Sequence, residues 1–343
     1  MHSTPPTVDW VRHVRSTLKN SPQDFHVVKP WVYWRDMLIG ATAAYTAAGV
    51  FLAAPALSVW QCAGFLLAVF WLYRVGSLVH EVAHLGGHEL TSFKVAWNVL
   101  VGIPTLTPST FFTAHHRDHH SLQVYGTKQD PEYVVNVCDR GNWYQIAGYF
   151  LFVALFPLLV FLRFLLAPLT FVHPSVREFS LRRLSSFTFN WRYARSVHRI
   201  DRRVFASLEL LCSLRAWCIP AAVMFGFTPW TRMFQLYLLG AAVVTLNQLR
   251  QLADHHFEGS GDRLSVSEHI LDSCNFVGRD PLTWLFFPMA IQFHALHHLF
   301  PSLPYHNLAA AHSYLMQTLP SQSPYRALEQ DNWWAVAGKM LRR

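Results

Sequence analysis

Two adjacent apolar segments near the N-terminus constrain the fold more than any other feature of the chain. Residues 37–59 contain no charged residue, and residues 60–79 contain only Arg74, which lies near their end. Each segment is long enough to cross a hydrocarbon core of about 30 Å as a helix. Pro55 lies where the first segment would turn into the second. The sequence therefore predicts an integral membrane protein with a helical hairpin near its N-terminus.

Later apolar segments complete this prediction. Residues 207–227 and 231–249 form a second candidate hairpin around residues 228–230. Residues 95–108 are short for a crossing, and residues 147–172 contain two prolines and one arginine, so we expect both to lie along the interface. We therefore predict an all-α integral membrane protein with about four transmembrane helices in two hairpins. The predicted divisions are a cytoplasmic N-terminal segment (1–36), a membrane domain (37–315) and a cytoplasmic C-terminal tail (316–343).

The charge pattern supports this class and predicts the orientation. Only 14% of the 343 residues are charged and 52% are hydrophobic, whereas soluble domains carry about 25% charged residues. The net charge is +8. In a membrane protein, excess lysine and arginine residues usually lie in cytoplasmic loops, so we expect no nucleic-acid partner. Residues 173–203 are the most basic segment and are assigned to the cytoplasm, as are both termini. Their arginines are Arg177, Arg182, Arg183, Arg192, Arg195, Arg199, Arg202 and Arg203.

The cysteines and the N-terminal segment agree with a cytoplasm-facing protein. The five cysteines are scattered and form no CxxC motif, so neither a disulfide framework nor a thiolate metal site is indicated. They are Cys62, Cys138, Cys212, Cys218 and Cys274. Residues 1–36 are polar and lack the apolar run of a cleavable signal peptide.

Twelve of the twenty histidines form four clusters. In the four-span prediction every cluster lies just beyond a membrane end, on the cytoplasmic side. The clusters are His80, His84 and His88; His115, His116, His119 and His120; His255 and His256; and His294, His297 and His298. The first cluster begins with HxxxH at His80 and His84, HxxHH occurs twice, and both spacings place imidazoles on one helical face. Repetition of these spacings indicates metal ligation rather than packing.

The segment HEVAH, residues 80–84, also matches the signature of a zinc peptidase, in which Glu81 would be the base. That reading requires only one further ligand and leaves both HxxHH boxes unexplained. Eight box histidines and a ninth from the pair His255–His256 instead supply four to five ligands for each of two metals. Imidazole suits iron, copper and zinc, and two redox-active metals at a membrane surface favour oxygen activation. A metal transporter or sensor is a further alternative, although transporters usually place polar ligands within their spans.

Three segments carry a resemblance to a known family. They are HHRDHHSLQVYGTKQDPEY (115–133), NQLRQLADHH (247–256) and HALHHLFPSLPYHNL (294–308). Together with HEVAH they resemble the histidine boxes of the membrane fatty acid desaturase superfamily. The resemblance covers roughly residues 30–315, and its motifs are specific in combination.

The resemblance implies two iron ions, with O2 as co-substrate, held by histidines on a cytoplasmic helical cap. The implied ligands are His80, His84, His116, His119, His120, His255, His294, His297 and His298. His88, His115 and His256 are left as neighbours. Carboxylates commonly orient metal-bound imidazoles, and the candidates for this role are Asp118, Asp130, Glu132 and Asp254.

The function that the resemblance implies is an acyl desaturase, which introduces a double bond into the acyl chain of a lipid or thioester. The alternative is a hydroxylase or ketolase on the same scaffold, acting on a fatty acid, sphingolipid or carotenoid. The substrate would come from the membrane lipid, and electrons from an external ferredoxin or cytochrome b5. The arginines of residues 173–203 either dock that donor or bind anionic lipid. Since no donor domain is fused, a bacterial inner membrane is favoured over the endoplasmic reticulum.

Overall fold

The computed structural model describes residues 9–134, 142–198, 200–259, 261–278 and 280–342, so Cys138 and Arg199 lie outside the described residues. Most of the described chain is helical, which confirms the prediction of an all-α membrane protein. The helices are α1 (Asp9–Lys19), α2 (Pro30–Ala53), α3 (Val59–His84), α4 (Thr91–Trp97), α5 (Ser109–His119), α6 (Trp143–Leu165), α7 (Pro174–Arg183), α8 (Arg202–Met224), α9 (Thr231–Gln251), α10 (Val266–Leu271), α11 (Pro281–Phe286), α12 (His294–Leu299), α13 (Tyr305–Thr318) and α14 (Trp333–Arg342). Two short strands, β1 (Asn275–Phe276) and β2 (Glu329–Gln330), pair in parallel.

The chain forms two compact units. The hairpin unit comprises residues 30–116 and 147–248, and the C-terminal unit comprises residues 1–29, 117–146 and 249–343. The predicted flanking segments contribute to the second of these, since α1 packs against α13 and α14 packs against β2.

In the hairpin unit, small residues let α2 and α3 approach closely. Ala47, Phe51 and Ala68 form a buried cluster with Leu239 of α9. Gly64 faces the α2 backbone, and a Cβ atom added there would lie 2.7 Å from the Phe51 nitrogen. The helix α3 begins after Ser58, whose side chain accepts a hydrogen bond from the Gln61 N–H. It runs on to His84, so its last turns carry the first histidine pair.

The start of α5 is fixed by a buried asparagine. The Asn98 Oδ1 accepts a hydrogen bond from the Ser109 N–H at 2.9 Å, and its Nδ2 donates to Ser109 Oγ at 2.9 Å. Further along α5, Phe111 packs against Phe164 of α6 and stacks on Phe205 of α8, with ring centroids 5.0 and 5.1 Å apart. These contacts position the helix that carries the second histidine box.

A buried ion-pair network joins α6, α7 and α8. Glu209 of α8 has no exposed surface and accepts hydrogen bonds from Arg163 of α6 and Arg177 of α7. Arg195 is also buried and donates to the Ser185 carbonyl at 2.8 Å. Two of the eight arginines of residues 173–203 are therefore engaged within the fold rather than at its surface. The other five that the structure describes are exposed, namely Arg182, Arg183, Arg192, Arg202 and Arg203.

In the C-terminal unit, backbone pairing of residues 272–276 positions two groups of histidines. The Cys274 N–H donates to the Asp254 carbonyl at 3.0 Å, one residue before His255. The Cys274 carbonyl accepts from the Ala295 N–H at 3.0 Å, which satisfies one of the donors left unpaired in the first turn of α12. His255 and the third histidine box are thus held by the same short segment.

The helices that could cross a membrane differ in one member from the predicted spans. Among the described residues, α2, α3, α6 and α8 are long and apolar enough to cross. The helix α6 qualifies because it is 23 residues long and strongly apolar. Its single arginine, Arg163, is paired with Glu209, and Pro157 lies inside a continuous helix. The helix α9 is not included, since it ends in the polar run Asn-Gln-Leu-Arg-Gln. Which helices cross, and the orientation that follows, stay a prediction.

The bounds of the predicted spans also shift. The first was predicted over residues 37–59, but α2 begins at Pro30 and ends at Ala53. The end at Ala53 follows from Pro55, which disfavours helical geometry in the residue before it. The span predicted over 60–79 is longer, as Val59–His84, and the span predicted over 207–227 is Arg202–Met224.

We expect Gly64→Ala to destabilise the α2–α3 hairpin by about 1–3 kcal/mol, because the added methyl group overpacks a backbone contact. The measurement is thermal unfolding of the purified protein in detergent. The matched control is Gly49→Ala in α2, where an added Cβ meets no atom within 4 Å. Equal melting temperatures for the two variants would contradict the close approach at Gly64.

Candidate metal centre

Three histidines converge in the hairpin unit. His80 and His84 lie one turn apart at the end of α3, and His116 lies on α5. The Nε2 atoms of His84 and His116 are 2.9 Å apart. The ring of His80 lies 5.0 Å from that of His84 and 4.6 Å from that of His116, measured between centroids. The structure therefore brings together the first box and the first member of the second box.

Glu81, the base in a peptidase reading of HEVAH, is engaged elsewhere. Its side chain is buried, and its Oε2 accepts a hydrogen bond from the Tyr33 hydroxyl at 2.9 Å. Its Oε1 lies 3.4 Å from His80 Nδ1. Glu81 thus connects α2 to α3 and contacts the outer nitrogen of His80, which is a structural and orienting role.

Four further histidines converge in the C-terminal unit. They come from α5, from the loop after α9 and from α12, and they are His119, His255, His294 and His298. Their Nε2 atoms point at one another. The separation is 3.2 Å between His119 and His255, 3.1 Å between His255 and His294, and 3.0 Å between His294 and His298. All four are buried, and His298, the most exposed of them, is only 4% exposed.

These separations fit a single bound metal ion. Two imidazole nitrogens at about 2.1 Å from a metal lie about 3.0 Å apart at a right angle and about 3.4 Å apart at the tetrahedral angle. Because two facing lone pairs repel one another, nitrogens at such distances share either a proton, as in an N–H···N hydrogen bond, or a metal ion. Neutral imidazole is a ligand for iron, copper and zinc. The four-histidine group can therefore hold one such ion.

The outer nitrogen of His119 is oriented by a buried carboxylate. His119 Nδ1 lies 2.8 Å from Asp130 Oδ1, and neither side chain is exposed. Asp130 is fixed in turn by the Gly126 N–H, which donates to its Oδ2 at 2.8 Å. Burial lowers the pKa of His119, but Asp130, Glu132 and Asp254 outweigh it and raise the pKa to about 9. A metal ion would then displace the proton from Nε2.

Three residues behind His255 and His298 were missed by the sequence reasoning. The Tyr125 hydroxyl lies 2.8 Å from His255 Nδ1 and donates to Asp272 at 2.9 Å. His269 Nε2 lies 2.7 Å from His298 Nδ1. None of the three belongs to a repeated histidine spacing, although Tyr125 lies inside the segment 115–133 that carries the family resemblance.

The remaining two predicted ligands form a pair in the C-terminal unit. His120 Nε2 and His297 Nε2 are 3.1 Å apart. The ring of His120 also stacks on that of His298, with centroids 4.3 Å apart. Six of the nine predicted ligands are therefore gathered in the C-terminal unit, in two adjacent groups, and three are gathered in the hairpin unit.

The neighbouring histidines lie outside these groups. His256 directs its Nε2 to Cys274 Sγ at 3.6 Å, whereas His255 points into the four-histidine group. His115 Nδ1 bonds to the Phe111 carbonyl at 2.9 Å. His88 is exposed and does not continue the face of His80 and His84, because α3 ends at His84.

The predicted carboxylates differ in their contacts. Asp130 touches a histidine of the four-histidine group directly, as described above. Asp254 is buried and pairs with Arg250 at 2.6 Å. Glu132 raises the pKa of His119 through its charge, and Asp118 is half-buried.

Two comparisons relate the chain to known proteins. The sequence profile of the family described as fatty acid desaturase matches residues 54–329, a range that contains all nine predicted ligands. A ceramide hydroxylase from Caulobacter vibrioides (strain NA1000 / CB15N) is 35% identical over 319 residues. That alignment covers 91% of this chain and 88% of the Caulobacter protein.

We expect His255→Ala to lower the metal content of the protein by about one ion per chain, because it removes one of four converging nitrogens. The matched control is His256→Ala, which changes the adjacent residue but removes no nitrogen from the group. Metal per chain would be measured by mass spectrometry on anaerobically purified protein. A content of about one zinc per chain, unchanged in His255→Ala and in His298→Ala, would contradict the four-histidine site and support the peptidase reading of HEVAH.

Proposed function

Because this chain belongs to the fatty acid desaturase family, we propose that it is an O2-dependent di-iron hydroxylase that acts on a hydrocarbon chain of a ceramide-type sphingolipid. The observation that carries this proposal is the 35% identity to a ceramide hydroxylase across nearly the full length of both proteins. Desaturation, the main sequence prediction, is less well supported than the hydroxylase alternative. Membership in this family of oxidoreductases leaves no support for the peptidase and transporter alternatives.

We assign the nine histidines to two irons. One iron is bound by the four-histidine group of the C-terminal unit, namely His119, His255, His294 and His298. The resemblance implies that the second iron takes the other five predicted ligands, namely His80, His84 and His116 together with His120 and His297. Assigning these last two groups to the same iron rests on the family resemblance of the histidine boxes.

The bound irons supply the oxidising chemistry, that is, the activation of O2 and the removal of hydrogen from an unactivated C–H bond. The protein holds the ligands in place and excludes water. Burial of the four-histidine group keeps bulk water from this site, which limits side reactions of the oxidant. Asp130 holds the outer nitrogen of His119, so that its inner nitrogen faces the group.

Ligand residues alone do not distinguish hydroxylation from desaturation, because the two reactions consume the same inputs. Hydroxylation uses one O2, two electrons and two protons, and yields an alcohol and one water. Desaturation uses the same O2, electrons and protons, and yields a double bond and two waters. The difference lies in whether a hydroxyl group is added to the substrate or a second hydrogen is removed.

The two electrons come from an external donor, and we propose a ferredoxin or cytochrome b5 type of protein. The chain contributes five exposed arginines in residues 173–203 that an acidic donor or anionic lipid would contact. Arg195 is not part of such a surface, because it is buried. We further propose that both termini and these arginines face the cytoplasm, in a bacterial inner membrane.

We expect the active protein to add one oxygen atom to a ceramide, which raises the product mass by sixteen units, or by eighteen under isotopically heavy oxygen gas. The measurement is lipid mass spectrometry on cells that produce ceramide and express this chain. His298→Ala should abolish the product because it removes a ligand, and His256→Ala should retain it. A loss of two mass units, with no oxygen incorporated, would identify a desaturase instead.

A further inference from the structure

We propose that Tyr125, His269 and Asp272 are positioning residues, which hold His255 and His298 with their Nε2 atoms directed at the metal and so set the affinity of the four-histidine site. This inference rests on the proposed function, since it requires that the site binds iron. It adds to the nine ligands three residues that lie outside every histidine box and that orient ligands rather than bind the metal.

The proton positions around His255 follow from counting donors and acceptors. Asp272 receives three hydrogen bonds, from the hydroxyls of Tyr125 and Tyr133 and from the Glu258 N–H, at 2.9, 3.1 and 2.9 Å. A carboxylate can only accept, so the single proton of the Tyr125 hydroxyl is directed to Asp272. The Tyr125 oxygen must then accept from His255 Nδ1 at 2.8 Å. His255 is thereby fixed in the tautomer whose Nε2 carries the lone pair.

His298 is oriented by a second histidine in the same way. Its Nε2 lies in the four-histidine group, 3.0 Å from His294 Nε2, and its Nδ1 faces His269 Nε2 at 2.7 Å. When His298 Nε2 binds a metal, its Nδ1 carries the proton and donates a hydrogen bond to His269 Nε2. His269 cannot tilt freely, because its ring stacks on Tyr125 with centroids 3.5 Å apart and an interplanar angle of 22°. Tyr125 therefore supports one ligand through its hydroxyl and the other through its ring.

Tyr133 provides an internal control. Its hydroxyl makes the same bond to Asp272 as that of Tyr125 does, and it also accepts from the Gly259 N–H at 3.0 Å. Among the described residues, no histidine nitrogen is a hydrogen-bond partner of this hydroxyl. Tyr125→Phe and Tyr133→Phe thus remove the same bond to Asp272, but only Tyr125→Phe removes a partner of a ligand histidine.

If the Tyr125 hydroxyl were removed, Ser273 would still orient His255 in part. Ser273 Oγ lies 3.2 Å from His255 Nδ1 and donates to the His269 carbonyl, so it can accept the His255 proton weakly. Loss of an outer-layer partner typically weakens metal binding by about 10–100-fold. We therefore expect Tyr125→Phe to lie near the lower end of that range.

The experiment measures iron bound by the full-length protein in detergent, under anaerobic conditions, at a series of chelator-buffered Fe²⁺ concentrations. Tyr125→Phe should weaken the binding of one iron about tenfold, whereas Tyr133→Phe should change it less than about threefold. His269→Gln, which keeps an acceptor for His298, should bind more tightly than His269→Leu. With Co²⁺ in place of iron, the visible absorption bands should shift in Tyr125→Phe and not in Tyr133→Phe.

Equal weakening in both tyrosine variants would overturn the inference, because a general loss of packing would then explain it. Unchanged affinity and unchanged Co²⁺ spectra in Tyr125→Phe would overturn it as well. In both cases a wild-type protein with about two irons would leave the proposed function standing. A wild-type protein that binds no Fe²⁺ at any concentration would remove the proposed function and the inference together.

Discussion

Burial of an imidazole constrains both of its ring nitrogens, since most buried polar groups in folded proteins have a hydrogen-bond partner. This constraint governs the C-terminal unit. The inner nitrogens of its four-histidine group face one another at distances suited to a shared cation. The outer nitrogens of His119, His255 and His298 face Asp130, Tyr125 and His269. Residues 124–130 and the segment around α10 therefore matter for the site although they contain no histidine box.

The family assignment and the geometry of Glu81 together favour an oxidoreductase over a hydrolase. A peptidase would need Glu81 poised over a metal-bound water, but Glu81 is buried between Tyr33 and His80. An all-histidine set carries no charge of its own, so the charge of a bound metal would be offset only by nearby carboxylates such as Asp130. Such a site suits a cofactor that must accept electrons.

The sequence predicted those features of the site that depend on residues close together in the chain. The spacings of His116, His119 and His120 and of His294, His297 and His298 predict shared helical faces because helix periodicity is a property of neighbouring residues. Tyr125, His269 and Asp272 could not be found this way, since only tertiary folding brings them to the ligands. The pairing of Arg163 with Glu209 could not be predicted either, because the two residues lie 46 positions apart in the sequence. Hydroxylation and desaturation could not be separated, since both need the same metals, oxygen and electrons.

The segment 272–276 has a further consequence for how this chain can vary among relatives. It pairs with the backbone beside His255 on one side and with the first turn of α12 on the other. A change of one residue in its length would turn successive side chains to the opposite face. The backbone beside His255 and the first turn of α12 would then no longer be positioned by the same segment. The loop that precedes α10 makes no such pairing at residues 262–264. We therefore expect insertions to be tolerated in that loop, and we expect the length of residues 272–276 to be kept wherever the site is kept.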